Sequence, residues 1–206
     1  MAVRNGPAAL GFYFDFISPY GWIGAEKVGT LARRFGRAVT WNPILLKMTV
    51  IEAMGLPQPL QTPLKGPYMR HDIGRSLRYH GLRLAPDARF GFSPLNAARA
   101  VLWARTLAPD RVELLVLSLY RAHWSEARDI SVAETVLDIV ASVGLPRDAA
   151  ADALHSDQLR AAPRAITADA MAAGIFGSPT LVIDGEAFWG ADRFDMAETW
   201  LKTGGW

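Results

Sequence analysis

The sequence predicts an α/β protein in which strands near the two ends of the chain enclose a long helical block. An apolar run at residues 12–16 is typical of a short buried strand, and a segment with helical spacing and a second apolar run follow it. Helical spacing then continues over most of residues 68–173. Residues 177–189 predict a turn and an antiparallel hairpin, and a last helix ends the chain.

The first helix begins at a serine and a proline. Ser18 occupies the N-cap position and Pro19 the first helical position. Because Gly21 leaves no Glu or Gln to complete a capping box, we expect the Ser18 hydroxyl to be less committed to the cap and able to face a ligand. Residues 38–45 predict the next strand, with Pro43 near its end or at a sheet edge. Strand, helix and strand in this order imply parallel pairing. The helix N-terminus between them suits an anion.

The middle of the chain is predicted to be a loop followed by helices. Residues 48–67 contain four prolines and are expected to form an irregular loop of the kind that carries ligand contacts. Ser131 and Glu134 have the spacing of a capping box, and Asp192 is expected to cap the last helix. The helices between the loop and the hairpin are predicted at residues 69–79, 97–107, 112–124, 132–143, 148–159 and 165–173.

Composition excludes several classes of function. The chain has 206 residues, half of them hydrophobic, which fits one large domain or one domain with an insertion. A formal charge of +2 with dispersed arginines gives no nucleic-acid footprint. The absence of cysteine excludes thiol–disulfide exchange, so any thiol must come from outside the protein. With no signal peptide and no apolar run of ~20 residues, we expect a cytoplasmic protein without membrane contact. The four histidines lack metal-site spacing, so no metal is expected.

Three motifs carry a resemblance to a known family. The turn Asp15-Phe16-Ile17-Ser18-Pro19-Tyr20 resembles the active-site turn of the thioredoxin-fold group that contains 2-hydroxychromene-2-carboxylate isomerases and kappa-class glutathione transferases. Ser18 stands where DsbA-type relatives carry the first Cys of Cys-x-x-Cys, and Gly21 stands where a second Ser is common. Gly-Ser-Pro-Thr at 177–180 and the segment 188–193 follow in the same order. The resemblance implies a thioredoxin-like domain at residues 8–47 and 174–206, with a loop and an inserted all-helical domain at 48–173.

The resemblance also implies a glutathione site. Ser18 is the implied catalytic residue, whose hydroxyl would donate to the glutathione sulfur, while the helix N-terminus favours the thiolate. The backbone of Ser178, beside a cis Pro179, would pair with the cysteinyl part as an added strand does. Leu56 stands where the family usually has an Asn that contacts glutathione. The remaining residues implied to hold glutathione are Lys65, Asp192 and Arg193.

The activity implied by the resemblance is a glutathione-dependent cis–trans isomerisation. Its substrate would be a small aromatic α-keto acid such as 2-hydroxychromene-2-carboxylate, opening to trans-o-hydroxybenzylidenepyruvate, and the protein would be a homodimer. A kappa-class-like transferase that conjugates electrophiles and a non-catalytic binding or dimerisation module remain as alternatives; in a non-catalytic module, Ser18→Ala would leave every measurable function intact. The sequence leaves open whether Lys47, Lys65 or Arg193 meets the substrate carboxylate.

Overall fold

The computed structural model describes residues 8–206 and contains one four-stranded mixed sheet of order β2-β1-β3-β4. β1 pairs with β2 in parallel and with β3 antiparallel, and β3 and β4 form an antiparallel hairpin. The strands are β1 (Leu10–Phe14), β2 (Val39–Pro43), β3 (Thr180–Ile183) and β4 (Glu186–Trp189). The predicted α/β class, parallel unit and hairpin are therefore confirmed. Pro43 is the last residue of an edge strand, as predicted, so its missing N–H leaves no gap inside the sheet.

Eight α-helices surround this sheet within the described residues. One helix, α1, lies between β1 and β2, six lie between β2 and β3, and one follows β4. They are α1 (Pro19–Arg34), α2 (Lys65–Tyr79), α3 (Leu95–Leu107), α4 (Val112–Trp124), α5 (Ala133–Ser142), α6 (Arg147–His155), α7 (Asp157–Ala172) and α8 (Phe194–Thr203). Short 3-10 turns lie at Pro59–Gln61, Pro109–Arg111 and Ala191–Arg193.

The aromatic run of β1 forms the centre of the core. Phe12 and Phe14 are fully buried and stack on each other, with ring centroids 5.4 Å apart. Trp41 of β2 meets both rings edge to face, and Tyr120 of α4 packs against Phe14. Each fully buried side chain of this size contributes about 1.5–3 kcal/mol to stability. The same packing fixes the end of β1, from which the turn into α1 departs.

Two predicted helix boundaries were wrong, each because a serine bonds differently from the expectation. Ser131 caps no helix: its N–H and hydroxyl both donate to Asp129 Oδ1, at 2.9 and 2.6 Å, and α5 begins at Ala133. The segment predicted as one helix at 148–159 is broken at Ser156, whose backbone is extended and whose Oγ accepts the Leu159 N–H at 3.3 Å. Pro163, which falls between the helices predicted at 148–159 and 165–173, lies inside α7.

Two further expectations also need correction. The segment 48–67 is not wholly irregular, because Lys47–Ala53 is a π-helix and α2 already begins at Lys65. Asp192 does not cap the last helix. It lies within a 3-10 turn, and α8 begins at Phe194 without a side-chain cap.

Candidate active site

Ser18 ends the turn between β1 and α1 and is almost buried, with 7% of its surface exposed. Its backbone is extended and its Oγ accepts the Gly21 N–H at 3.0 Å, while Pro19 occupies the first helical position. The prediction that Ser18 caps α1 is confirmed. The cap places the hydroxyl at the positive end of a 16-residue helix, where negative charge is favoured.

The Ser18 hydroxyl also joins the helix to the turn before β3. It donates to the Ser178 carbonyl oxygen at 3.1 Å, across 160 residues of sequence. The Ser178–Pro179 peptide is cis, so that expectation is confirmed. The Ser18 hydroxyl and the Ser178 backbone were both expected to meet a ligand, and in the structure the hydroxyl and the Ser178 carbonyl are hydrogen-bonded to each other. The Ser178 N–H, in contrast, donates to no acceptor within residues 8–206.

Gly21 and Gly24 let the helix approach this turn closely. A Cβ at position 21 would lie 2.6 Å from the Tyr120 hydroxyl and 2.7 Å from Ser178 Oγ, so a serine does not fit here without movement. A Cβ at position 24 would lie 2.8 Å from Pro179 Cβ. Glycine at position 21 therefore leaves the space that the Tyr120 hydroxyl and Ser178 Oγ occupy.

Asp15 forms hydrogen bonds both to Ser178 and to Tyr120 of α4. Its N–H donates to Ser178 Oγ at 2.9 Å, and its carbonyl oxygen accepts the Tyr120 hydroxyl at 2.9 Å. Its carboxyl group is 1% exposed and accepts the backbone N–H groups of Ile17 at 3.2 Å and Leu46 at 2.7 Å. Burial raises the pKa of Asp15 to about 7, although both hydrogen bonds act in the opposite direction. A titratable carboxyl thus lies three residues before Ser18.

Tyr20, on the other side of Ser18, ties α1 to α2. Its hydroxyl donates to Asp72 Oδ2 at 2.6 Å, and this bond is the main cause of the lowered pKa of Asp72. Burial, followed by the same hydrogen bond, raises the pKa of Tyr20. Asp72 also pairs with Arg75 at 2.5 Å. The carboxylate is thereby held in its ionised form beside the first turn of α1.

A cleft of about 560 Å³ is lined by residues of α2 and of the segments that follow α2 and α4. Phe90 on its wall packs on Trp124 with ring centroids 5.0 Å apart, and the Trp124 indole N–H donates to the Phe16 carbonyl at 3.0 Å. A second groove of about 410 Å³ includes Arg193 among its lining residues. The residues lining the larger cleft are Arg70, Arg89, Phe90, Gly91, Phe92, Asp129 and Ser131.

Comparison with known proteins decides the family. A family model described as "DSBA-like thioredoxin domain" matches residues 9–202. A 2-hydroxychromene-2-carboxylate isomerase of Sphingobium xenophagum is 31% identical over 193 residues, which cover 93% of this chain and 97% of that protein. The chain belongs to the 2-hydroxychromene-2-carboxylate isomerase family of DsbA-like thioredoxin proteins.

A further relative and a solved structure are similar to nearly the whole chain. Glutathione S-transferase kappa 1 of Rattus norvegicus is 24% identical over 212 residues, covering 95% of this chain and 93% of that protein. The crystal structure of a selenomethionine-labelled 2-hydroxychromene-2-carboxylate isomerase superposes with a TM-score of 0.83 at 23% identity, covering 94% of each chain. The predicted thioredoxin-like fold with inserted helices is therefore confirmed.

The structure brings only some of the site residues implied by the family resemblance into contact. Ser18 and Ser178 are in direct contact. The turn that carries Asp192 and Arg193 is tied to Pro179 by a hydrogen bond from the Gly190 N–H to the Pro179 carbonyl at 2.9 Å. Both side chains are exposed, and they pair loosely with each other at 3.6 Å.

Lys65 is the first residue of α2 and is exposed. No hydrogen bond or ion pair among the described residues joins it to Ser18 or Ser178. Leu56, in place of the usual Asn, is 47% exposed and offers no polar group. The glutathione roles of these residues stay predictions.

Sequence reasoning missed the polar groups that support Ser18. Asp15, Tyr120 and Trp124 all bond to the backbone of the turn or of the strand before it, and the last two come from α4, more than 100 residues away. Only Asp15 left a signal, as a lone carboxylate inside an aromatic run. The Tyr20–Asp72 bond left none.

Residues 8–206 bring no three of His, Asp and Glu together as a metal site. None of their helices combines the length and the apolar character that a bilayer crossing needs.

Proposed function

We propose that this protein is a glutathione-dependent cis–trans isomerase that interconverts 2-hydroxychromene-2-carboxylate and trans-o-hydroxybenzylidenepyruvate, or a related aromatic α-keto acid. One observation carries the proposal. A serine, not a cysteine, caps the helix at the thioredoxin-type active-site turn and bonds to the Ser178 carbonyl, in a chain without any cysteine. Such a site can bind a thiol but cannot form a disulfide with it.

The groups around Ser18 fit the thiol and peptide parts of glutathione. The N–H groups of Tyr20 and Ser178 donate to no acceptor within residues 8–206, so both are open to an incoming ligand. The Ser18 proton can change its acceptor from the Ser178 carbonyl to a sulfur. These neutral donors, together with the positive end of α1, would favour a bound thiolate over a thiol.

The chemistry divides between the cofactor and the protein. Glutathione, when bound, would supply a thiolate able to add reversibly to a conjugated C=C bond and so allow rotation about it. Ser18 would hold the sulfur through its O–H and keep it at the helix N-terminus. Asp192 and Arg193, on the turn bonded to Pro179, would hold the γ-glutamyl end. Lys65 would add a positive charge from α2.

A kappa-class-like transferase is the second candidate, favoured by the similarity to glutathione S-transferase kappa 1 over 95% of the chain. Both reactions use the same thiolate and differ in whether the adduct eliminates the thiol again. Measuring total free thiol during turnover separates them. An isomerase leaves the glutathione concentration constant, whereas a transferase lowers it in step with the product.

The first test is calorimetric titration with glutathione and S-methylglutathione. Ser18→Ala removes the sulfur donor and also a helix cap, which alone costs about 1 kcal/mol of stability. Ser156→Ala is the matched control, because Ser156 caps α7 in the same way. We expect glutathione affinity to fall in Ser18→Ala, to persist in Ser156→Ala, and to be lower for S-methylglutathione in the wild type. Absence of glutathione binding at millimolar concentration would refute both enzyme proposals.

The location and assembly of the protein are part of the same proposal. We propose a cytoplasmic homodimer acting on a small aromatic molecule; the homodimer is what the family resemblance implies. Sedimentation of the purified protein tests the dimer, and cell fractionation tests the location.

A further inference from the structure

One cleft combines an apolar wall with positive charge, the two features that would bind an aromatic acid. Its lining includes Arg70, Arg89, Phe90 and Phe92. Its volume of about 560 Å³ lies within the ordinary range for small-molecule sites. Two half-buried phenyl rings supply an apolar wall. Two guanidinium groups and the single carboxylate of Asp129 leave the lining with one net positive charge.

Of the two arginines that line the cleft, Arg70 has fewer existing interactions. It forms no ion pair with any residue from 8 to 206, and its guanidinium carbon lies 5.9 Å from the centre of the Phe90 ring. A guanidinium placed over a ring keeps its N–H edges open for a carboxylate. Arg70 can therefore bind an acid without breaking an existing salt bridge.

Arg89 is only weakly neutralised. Its ion pair with Asp129 Oδ2 is long, at 3.9 Å, and its side chain is 79% exposed. The other oxygen of Asp129 is held by the N–H and hydroxyl of Ser131, which are the main cause of the lowered pKa of Asp129. A ligand carboxylate between the two arginines would thus add a second, closer partner for Arg89.

The aromatic wall is fixed before any ligand arrives. Phe92 packs against the buried ring of His123, with centroids 3.6 Å apart and the ring planes tilted by 35°, and Phe90 packs on Trp124. A ring nitrogen of His123 lies 2.9 Å from the Arg89 carbonyl oxygen, which anchors the backbone of the same segment. A wall held in this way loses little entropy when a flat ligand binds.

The cleft is joined to the candidate active site on both sides of Ser18. On one side, Phe90 packs on Trp124, whose indole bonds to the carbonyl of Phe16. On the other side, Arg70 lies two residues before Asp72, which bonds to Tyr20. Both connections end two residues from Ser18. These contacts link the cleft lining to the turn that carries the proposed catalytic hydroxyl, while Ser18 itself is not among the residues that line the cleft.

We infer that this cleft is a binding site for a planar aryl carboxylate, with Arg70 and Arg89 holding the carboxylate and Phe90 and Phe92 packing against the ring. The inference rests on the proposed function only for identifying this ligand as the substrate. It replaces the lysines and Arg193 as the partner of the substrate carboxylate. Neither arginine is buried, so replacing them should not disturb folding.

The test measures binding of an unreactive probe by calorimetry, in the absence of glutathione. The probe is 2-naphthoate, and its neutral counterpart is 2-naphthamide. Arg70→Gln and Arg89→Gln should each weaken naphthoate binding roughly tenfold, the usual effect of losing a charge-assisted hydrogen bond. Arg78→Gln, at an exposed position on the same helix as Arg70, is the matched control and should bind normally. Phe90→Leu should weaken both probes.

Two results would overturn the inference. One is equal affinity of the wild type for naphthoate and naphthamide. The other is unchanged binding in both cleft variants together with a loss in Lys47→Gln, Lys65→Gln or Arg193→Gln. The proposed isomerase fails separately, through the glutathione titration. Naphthoate binding that depends on Arg70 without any glutathione binding would keep this site and reject that function.

Discussion

Replacing Asp15 by asparagine should change how the stability of the protein depends on pH. Asp15 is 1% exposed, and its carboxyl group meets two neutral backbone donors. Burial raises its pKa from 3.8 to about 7. At 1.36 kcal/mol per pH unit, a difference of about three units corresponds to about 4 kcal/mol of folding free energy.

Whether the free energy of unfolding rises or falls with pH depends on whether the folded or the unfolded state binds the Asp15 proton more tightly. The folded state does, so the contribution of Asp15 is fully present below about pH 4 and is lost as the pH rises to about 7. Asparagine has no such transition. Its amide nitrogen faces one of the two N–H donors, which costs about 1–3 kcal/mol at every pH. The unfolding free energy of Asp15→Asn relative to wild type should therefore rise by about 4 kcal/mol between pH 4 and pH 8.

Urea unfolding followed by tryptophan fluorescence measures this difference at each pH. The change is read from variant minus wild type, which cancels the groups common to both. Asp87→Asn is the control, because Asp87 is exposed, and its curve should run parallel to wild type. If the Asp15→Asn curve also runs parallel, the carboxyl group does not titrate in this range, and the account of its burial is wrong.

Two other substitutions test the close packing around Ser18. Gly21→Ser should destabilise the protein by about 1–3 kcal/mol in urea unfolding, since its Cβ would lie 2.6 Å from the Tyr120 hydroxyl. Tyr120→Phe in the same chain should recover part of that loss, and strictly additive effects would contradict the reasoning. Gly24→Ala, whose Cβ would lie 2.8 Å from a Pro179 carbon, should lower the melting temperature. Gly74→Ala meets only the flexible tip of an arginine and should not lower it.

Local patterns in the sequence predicted the parts of the fold that local patterns control. The aromatic run of β1, the Ser-Pro start of α1 and the hairpin turn at Asp184-Gly185 each depend on neighbouring residues, and each was predicted correctly. The two errors in helix boundaries arose where a local pattern allows more than one arrangement of hydrogen bonds. Ser131 and Ser156 could each bond in more than one way, and the choice depends on Asp129 and on the chain geometry at Ser156.

In the candidate site, too, residues with a local signal were predicted and contacts between distant residues were not. Ser18 and Pro179 carry motif signals, so they were found together with the cis peptide bond. The hydroxyl of Ser18 was expected to be less committed, and able to face a ligand, because its own helix offers no reciprocal cap. Its partner, the Ser178 carbonyl, lies 160 residues away and left no trace in the local sequence. Contacts of this range depend on how α1 and β3 meet, which a single sequence does not encode as a pattern.

The hydrogen bond between Ser18 and Ser178 gives a physical reason for serine at this position. At 3.1 Å it is an ordinary neutral bond, which contributes only about 0.5–1.5 kcal/mol. A thiolate is a charged acceptor, and bonds to charged groups are worth about 1.5–3 kcal/mol, so the hydroxyl gains by changing partners. A cysteine here would be free to form a disulfide with an incoming thiol, whereas serine can only release it. Under the proposed function, this turn would therefore hold a thiol and return it.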